Sequence, residues 1–217
     1  MNAITRLVLA ATLSLSAGLA LAADPVEGRD YQRINPPVPT SDPAKIVVTQ
    51  FFSYQCPHCY KFEKPHAAWA AKLPADVKAE RAAVSIGHAG WVPAAQAFYA
   101  LSAMKKVPAI DDAFFGAIHG QRLGLTDEAG IATWVAKQGI DRAEFEKMYR
   151  SFSVGLQTRR ADEQSRKTRL PSVPTIVIDG RFLVPIRDDG DFRDQLALVD
   201  TLIERARRER AVAKPAS

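Results

Sequence analysis

The pattern of hydrophobic and polar residues in the first half of the chain predicts a strand, a helix and a second strand. The run Ile46 to Phe52 is rich in β-branched and aromatic residues, which is typical of a buried strand. From Pro57 to about Lys72 the composition is helical, although Pro65 is expected to kink or break the helix. Val77 to Val84 alternates in character and predicts the second strand. The inward positions expected for the helix are Phe62, Trp69 and Leu73.

The second half of the chain begins with a long segment, residues 91–169, that has helix start and stop signals and no good strand pattern. Two short hydrophobic runs, Thr175 to Ile178 and Phe182 to Val184, flank Asp179-Gly180 and predict a hairpin. An amphipathic helix at 191–211 follows. The helices expected within the long segment are 93–106, 108–122, one from a Thr126 cap to Lys137, and one from a capping box of Asp141 and Glu144, which residues 153–168 extend or restart.

This order of elements is that of an α/β unit split by a helical insertion. The chain has 217 residues, of which 47% are hydrophobic and 24% are charged, so it can bury a sizeable core. That composition excludes a disordered chain, and two cysteines are too few for a disulfide-stapled miniprotein. The sequence contains no internal repeat, no low-complexity tract and no glycine-rich phosphate loop.

The first 22 residues have the pattern of an export signal. Arg6 gives a short positive start, residues 7–22 carry no charge, and Ala20-Leu21-Ala22 is a small-x-small cleavage pattern. We expect cleavage after Ala22 or Ala23; a retained anchor is the alternative, but the uncharged run is short for a membrane span. The mature protein is therefore expected to be soluble and exported to a compartment where disulfides persist.

The formal net charge of +5 says little about partners. Basic residues cluster near the C-terminus, but acidic residues interrupt them, and apolar residues recur at helical spacing through the same stretch. This pattern indicates a solvated helix face, and no nucleic-acid partner is expected. The basic residues are Arg205, Arg207, Arg208 and Arg210, and the interrupting acids are Glu204 and Glu209.

The two cysteines, Cys56 and Cys59, follow the first predicted strand and begin the first predicted helix. A disulfide across so short a span closes a small loop and is a poor structural brace, so the pair points to redox chemistry. At the start of the helix, free N–H groups stabilise a Cys56 thiolate, and Pro57 suits the first helical position. His58 can add a donor or a positive charge, while Cys59, one turn deeper, is expected to be shielded and to act as the resolving thiol.

Three other interpretations of this motif compete with redox chemistry. A structural disulfide is disfavoured by the short loop. A metal site could draw on Cys56, His58, Cys59 and His66, but structural zinc usually adds a second, distant ligand pair and no further cysteine exists. Covalent haem attachment requires histidine directly after the second cysteine, where Tyr60 stands.

The segment from Phe51 to Glu63, FFSYQCPHCYKFE, closely resembles the active-site segment of the DsbA family of periplasmic thiol:disulfide oxidoreductases in the thioredoxin superfamily. Val173-Pro174 followed by a strand resembles the cis-proline loop of that family. The resemblance implies a thioredoxin-like fold with an inserted helical domain. Its expected parts are a signal peptide at 1–22, a discontinuous thioredoxin-like domain at 23–90 and 170–217, and a helical insertion at 91–169.

The resemblance also implies the activity. A Cys56–Cys59 disulfide would pass to reduced exported proteins through a mixed disulfide at Cys56, with Pro57 and His58 in the active site. A cis Val173-Pro174 bond packed beside Cys56 would leave the backbone of Val173 free to pair with an extended substrate peptide. Cys56 itself is expected to be exposed, with Cys59 behind it. The family pattern further implies reoxidation by a quinone-linked membrane oxidase of the DsbB type, a monomer, and no cofactor or metal. A disulfide isomerase or reductase of the same superfamily, and an exported metal-binding protein using Cys56, His58 and Cys59, are the alternatives.

One position departs from the family pattern. Family members commonly carry a buried acidic residue six positions before the first cysteine, which is thought to help move protons at the resolving thiol. This chain has Gln50 there, and an amide does not titrate. Proton transfer at Cys59 would then use water or another group.

Overall fold

The computed structural model describes residues 24–188 and 191–213. The predicted export signal, residues 1–22, lies outside this part of the chain. The strands are β1 (Gln32–Arg33), β2 (Ile46–Phe52), β3 (Val77–Ala83), β4 (Thr175–Ile178) and β5 (Phe182–Pro185). The helices are α1 (Pro57–Ala70), α2 (Val92–Ala103), α3 (Val107–His119), α4 (Glu128–Lys137), α5 (Arg142–Tyr149), α6 (Phe152–Lys167) and α7 (Phe192–Ala213), with a single 3₁₀ turn at Ala89–Trp91 before α2.

The five strands form one mixed sheet in the order β1-β5-β4-β2-β3. Strand β2 is parallel to β3 and antiparallel to β4, and β4 and β5 form the predicted hairpin. All seven residues of β2 are buried, which explains why its sequence is a continuous hydrophobic run rather than an alternation. The edge strand β1 was not predicted, since two polar residues carry no strand pattern and only pairing with β5 defines it.

Two hydrophobic clusters cover the sheet. One joins residues of α1 and α7, among them Phe62, Leu196 and Val199, to the strands. The other joins the sheet to the helices α2 to α6 and includes Phe98, Phe114 and other large aromatic side chains. The chain is thus the expected α/β protein, with α2 to α6 inserted between β3 and β4. The exact domain boundaries, 90/91 and 169/170, stay a prediction.

Of the two outcomes expected at Pro65, a kink or a break, the break does not occur, because α1 continues to Ala70. Proline lacks the N–H that would bond to the carbonyl of Lys61, so the helix loses one hydrogen bond at this point. Phe62 and His66, on either side of Pro65, are buried and hold the helix against the core. Tertiary packing therefore outweighs the local preference of proline.

Helix caps in the insertion are partly as predicted. Asp141 caps α5 by accepting the N–H of Glu144, which confirms that helix start. The proposed Thr126 cap is wrong, because Asp127 caps α4 and accepts the N–H of Gly130 at 2.8 Å. The two candidates are adjacent, and aspartate also places a negative charge at the positive helix end. Helix α6 restarts separately, with Ser151 as its cap.

The basic residues near the C-terminus bind α7 to the rest of the protein. Arg207 contacts Asp76 at 2.6 Å, and Arg210 contacts the side chain of Asp179 in the hairpin turn at 2.9 Å. Arg181 contacts the same Asp179 carboxylate at 3.1 Å. These ion pairs agree with a structural helix face. Within the described residues, no helix combines the length and apolar character needed to cross a bilayer.

The hairpin turn leaves no space for a side chain at Gly180. This residue has a φ of +63°, and an added Cβ would lie 2.0 Å from the carbonyl oxygen of Val38. The Val38 N–H in turn donates to the Gly180 carbonyl at 3.0 Å. Gly139 offers a control, since its φ is +78° but nothing lies within 4 Å of an added Cβ.

We therefore expect Gly180→Ala to destabilise the protein by about 3–5 kcal/mol and Gly139→Ala by only about 1–2 kcal/mol. The left-handed backbone is unfavourable for alanine at both positions, but only the alanine at position 180 also clashes with Val38. Urea denaturation of the two variants tests this difference. Equal losses of unfolding free energy would show that the approach of Val38 does not constrain the turn.

Candidate active site

Cys56 is the N-cap of α1. Its φ of −92° and ψ of 118° are those of an extended residue that precedes a helix, and its sulfur accepts the Cys59 N–H at 3.4 Å. Pro57 occupies the first helical turn, as predicted. The Cys56 N–H donates to the carbonyl of Ser53 at 3.1 Å, which closes the turn after β2. The buried strand thus delivers the cysteine directly to the positive end of the helix.

The two cysteines are free thiols and both are buried. Cys59 has no exposed surface, as expected for a shielded thiol. The expectation that Cys56 is exposed is wrong, since only 4% of its surface is accessible. The residue sits between the helix start and the loop before β4.

The loop before β4 covers Cys56 from the other side. The Val173-Pro174 peptide bond is cis, and both residues are buried. The Cys56 thiol donates to the Val173 carbonyl at 3.3 Å. The Pro174 carbonyl accepts the N–H of Ile186 at 3.0 Å, which fixes the loop to the end of β5. Cys56 and the Val173-Pro174 loop therefore form one site, although they are 117 residues apart.

The two thiols have opposite acidities. Hydrogen bonding from the Cys59 thiol, supported by the backbone N–H groups of Cys59 and His58 and by the charge of His58, lowers the pKa of Cys56 to about 6 despite partial burial. Burial raises the pKa of Cys59 well above its usual value, and proximity to Cys56 raises it further. At neutral pH Cys56 is therefore mostly thiolate and Cys59 is a thiol.

His58 lies at the surface with its ring beside Asp188. Its Nδ1 is 3.2 Å from Asp188 Oδ2, and the same carboxylate oxygen accepts a hydrogen bond from Lys61 Nζ at 2.5 Å. The hydrogen bond from Lys61 is the largest cause that lowers the pKa of Asp188, and contact with His58 lowers it further. No sequence pattern predicts the contact between Asp188 and His58, because Asp188 lies in the loop after β5, 130 residues from His58.

The turn before Cys56 is fastened to the helical insertion. Tyr54 is buried among the rings of Phe114 and Phe115, and its hydroxyl donates to Asp111 in α3. The ring Nε2 of His119, at the end of α3, contacts the carbonyl oxygen of Tyr54 at 2.8 Å. The insertion therefore holds the cysteine motif in position.

A group of charged residues is buried behind Cys59. Arg81 in β3 contacts the carboxylate of Glu63 at 2.9 Å and that of Asp111 at 2.8 Å. Gln50 is fully buried in β2 beside them, and its amide favours the charged form of Glu63. Burial nevertheless dominates and raises the pKa of Glu63 to about 7. We refer to Glu63, Arg81 and Asp111 as the buried charge cluster.

The structure does not bring the four residues of the metal hypothesis together. His58 faces Asp188, and His66 is buried against the rings of Phe62 and Trp69. Burial lowers the pKa of His66 to about 4. Across the residues that the structure describes, no group of three or more His, Cys, Asp or Glu side chains could hold a metal ion.

Comparison with known proteins identifies the family. The family model of the DSBA-like thioredoxin domain matches residues 47–197. The chain belongs to the DsbA family. The thiol:disulfide interchange protein DsbA of Bordetella parapertussis is 35% identical over 205 residues, which are 94% of this chain and 97% of that protein. The protein of the same name from Pseudomonas aeruginosa strain PAO1 is 35% identical over 96% of this chain and 98% of its own length.

Solved structures agree with this assignment. The crystal structure of Pseudomonas aeruginosa DsbA superposes with a TM-score of 0.81 at 35% identity and covers 88% of this chain and 98% of that one. The oxidoreductase DsbA from Xylella fastidiosa gives a TM-score of 0.77 at 30% identity over 85% of this chain and 98% of that one. This DsbA-family chain is therefore a thiol:disulfide oxidoreductase with a thioredoxin-like fold, as the sequence predicted. The isomerase and metal-binding alternatives are not favoured.

Sequence reasoning missed the buried charge cluster around the family's active site. Glu63 is the last residue of the active-site segment. It follows Cys59 by four positions, so Cys59 and Glu63 lie on one face of α1. That spacing is a signal that could have identified it. Arg81 and Asp111 come from β3 and α3, and only the tertiary fold brings them to Glu63.

We expect the reduced protein to show one thiolate titration with a midpoint near pH 6, which belongs to Cys56, and no second thiolate below pH 9. Far-ultraviolet thiolate absorbance measures the titration, and Cys56→Ser should remove it. A midpoint at or above pH 8 would contradict the assigned stabilisation by the helix start.

The same shift makes the stability of the reduced protein pH-dependent. The folded pKa of Cys56 lies below the ordinary value of 9.0, so the thiolate contributes stability that is fully present above pH 9 and is lost as pH falls through about 6. Relative to Cys56→Ser, the reduced wild type should therefore gain unfolding free energy as pH rises from 6 to 9. Urea denaturation at several pH values checks this, and a constant difference would contradict it.

Proposed function

We propose that this protein is a disulfide oxidase that donates a Cys56–Cys59 disulfide to reduced exported proteins. The observation that carries the proposal is the lowered pKa of Cys56 at the start of α1. A group that stabilises the Cys56 thiolate stabilises the reduced pair, and therefore makes the disulfide a stronger oxidant. The direction of the reaction follows from that stabilisation.

The reaction proceeds by two thiol–disulfide exchanges. A substrate thiolate attacks the Cys56 sulfur, the Cys56–Cys59 bond breaks, and its electron pair goes to Cys59, which takes up a proton. A second substrate thiolate then attacks the substrate sulfur of the mixed disulfide and displaces Cys56 as a thiolate. Two electrons pass from the substrate dithiol to the cysteine pair, and Cys56 leaves readily in the second exchange because its pKa is low.

The Val173-Pro174 loop is the proposed substrate-binding element. It lies against Cys56, and an extended peptide that pairs with its backbone would be held mainly by main-chain hydrogen bonds. Such pairing is tolerant of sequence, which suits an enzyme with many unfolded substrates. Pro57 and His58 complete the proposed site, with Pro57 beginning the helix and His58 contributing charge beside Cys56.

The cellular setting is inferred from the family and from the leader. The predicted signal at 1–22 and the oxidising chemistry place the protein in the periplasm. The reduced cysteine pair must be reoxidised, and a quinone-linked membrane oxidase of the DsbB type would accept its electrons. We further propose that the protein acts as a monomer and that residues 91–169 form a helical domain inserted into a thioredoxin-like domain of residues 23–90 and 170–217.

Redox equilibration with glutathione tests the oxidase proposal. We expect a potential at least about 100 mV more oxidising than that of thioredoxin, which is about −270 mV. Acid-quenched mixtures of defined glutathione ratio, separated by chromatography, give the fraction of oxidised protein. A potential near that of thioredoxin would indicate a reductase instead.

Cysteine variants test the assigned roles. Cys59→Ser should trap a mixed disulfide between Cys56 and a reduced two-cysteine peptide, whereas Cys56→Ser should form none. The oxidised wild type should oxidise the peptide but reactivate a scrambled substrate poorly. Efficient reactivation of the scrambled substrate would favour the isomerase alternative, and a sizing column would then show whether the protein dimerises.

A further inference from the structure

The buried thiol of Cys59 needs a partner for its proton. Each time the Cys56–Cys59 bond breaks, Cys59 leaves as a thiolate at a position with no exposed surface. A thiolate without solvent contact is costly, which is why burial raises the Cys59 pKa so strongly. Each time the bond reforms, the same proton must be removed. Gln50, a buried polar side chain of β2 in this region, has no group that titrates.

We propose that Glu63 donates a proton to Cys59 when the disulfide is opened and accepts it when the disulfide reforms. Glu63 and Cys59 lie one turn apart on the buried face of α1. Residues at this spacing have Cβ atoms about 5–6 Å apart, so the Glu63 carboxyl can approach the Cys59 sulfur directly or through one water molecule. Arg81 acts electrostatically on both groups, which places them around the same cation. The proposal rests on the proposed oxidase function and names the group that handles its proton.

The proton balance is complete within this arrangement. When a substrate thiolate attacks Cys56, the sulfur–sulfur electron pair goes to Cys59, and the protonated Glu63 carboxyl supplies the proton. The resulting Glu63 carboxylate is stabilised by Arg81 at 2.9 Å until it regains a proton from solvent. During reoxidation the steps reverse, and the carboxylate removes the Cys59 proton as the new disulfide forms.

Solvent can reach this carboxyl from the side away from Cys56. A cleft of about 520 Å³ opens between α1, β3 and α3, and Glu63 is among its lining residues. The buried part of the cleft also contains His66, Arg81 and Asp111, and its rim carries Lys64, Glu80 and Asp112. Proton exchange with bulk water therefore does not need to pass the substrate-binding edge of Cys56.

The neighbouring groups are poorer candidates. Burial lowers the pKa of His66 to about 4, so His66 has no proton to give at neutral pH and is a weak base. Burial raises the pKa of Tyr54 well above its usual value, so its hydroxyl keeps its proton. Asp111 is engaged by both Arg81 and Tyr54. Glu63, with a pKa raised to about 7 by burial and opposed by Arg81, is close to half protonated at neutral pH, where proton transfer in both directions is most efficient.

The test follows the attack of glutathione on the oxidised full-length protein, with each rate divided by the glutathione thiolate concentration. In the wild type this corrected rate should fall as pH rises from 6 to 9, with a midpoint near 7, because the acid form of Glu63 is lost. Glu63→Gln should be slower at pH 6 by roughly a hundredfold, the lower range of general acid catalysis, and should lose the midpoint. A pH dependence that arises at another group would survive this substitution, so the two origins are distinguishable.

Two further variants separate proton transfer from a structural effect. Asp111→Asn keeps hydrogen-bonding capacity but removes a carboxylate that raises the Glu63 pKa, so the midpoint should move to lower pH. Gln50→Glu combined with Glu63→Gln returns a carboxyl to the cluster from β2 and should restore a pH-dependent rate. If Glu63→Gln does not fold, the Asp111→Asn shift still decides the question.

Asp112→Asn is the matched control. It removes an exposed carboxylate at the rim of the same cleft, next to Asp111 in sequence, and should keep the wild-type profile. The proposal is overturned if Glu63→Gln keeps the wild-type profile and midpoint, or if Asp112→Asn changes it as much. A wild type that fails to react with glutathione at any pH would instead contradict the proposed function.

Discussion

The bond between the Cys56 sulfur and the first turn of α1 is the interaction on which the rest of the site depends. Without it, the helix would begin inside the protein with an unsatisfied N–H at Cys59, and with it the sulfur becomes both cap and nucleophile. Strand β2, and the turn that Tyr54 anchors to α3, position Cys56 at the start of α1. The Val173-Pro174 loop then closes the opposite side of the sulfur.

A single helix produces the difference in acidity between the two thiols. Cys56 meets the free N–H groups at the helix start, which stabilise its negative charge. Cys59, three residues later, has its own N–H committed to Cys56 and its sulfur surrounded by the core, so burial dominates. The spacing of the motif thus gives the two thiols opposite pKa shifts, which suit the proposed roles of Cys56 as nucleophile and Cys59 as resolving thiol. No metal or cofactor is required to explain that separation.

The local chemistry of the motif could be predicted from the sequence, because strand, cap and helix start are contiguous. The N-cap position of Cys56, the Asp179-Gly180 hairpin and the helical insertion all follow from patterns within a few residues. The features that could not be predicted from the sequence depend on packing between distant parts of the chain. The continuation of α1 past Pro65 and the burial of Cys56 depend on other parts of the fold, and the Asp188 contact with His58 joins residues 130 positions apart.

The ratio of charges explains why the carboxylate of Asp179 is structural, whereas that of Glu63 is suited to proton transfer. At the hairpin, a single carboxylate, that of Asp179, faces two guanidinium groups, Arg181 and Arg210, so its negative charge is fully compensated. Behind Cys59 the ratio is reversed, since Arg81 alone faces both Glu63 and Asp111. One cation cannot compensate two buried carboxylates, and the least costly state places a proton on one of them. Asp111 has a second hydrogen-bond donor in Tyr54, and burial raises the pKa of Glu63 to about 7, one helical turn from the thiol that the proposal pairs it with.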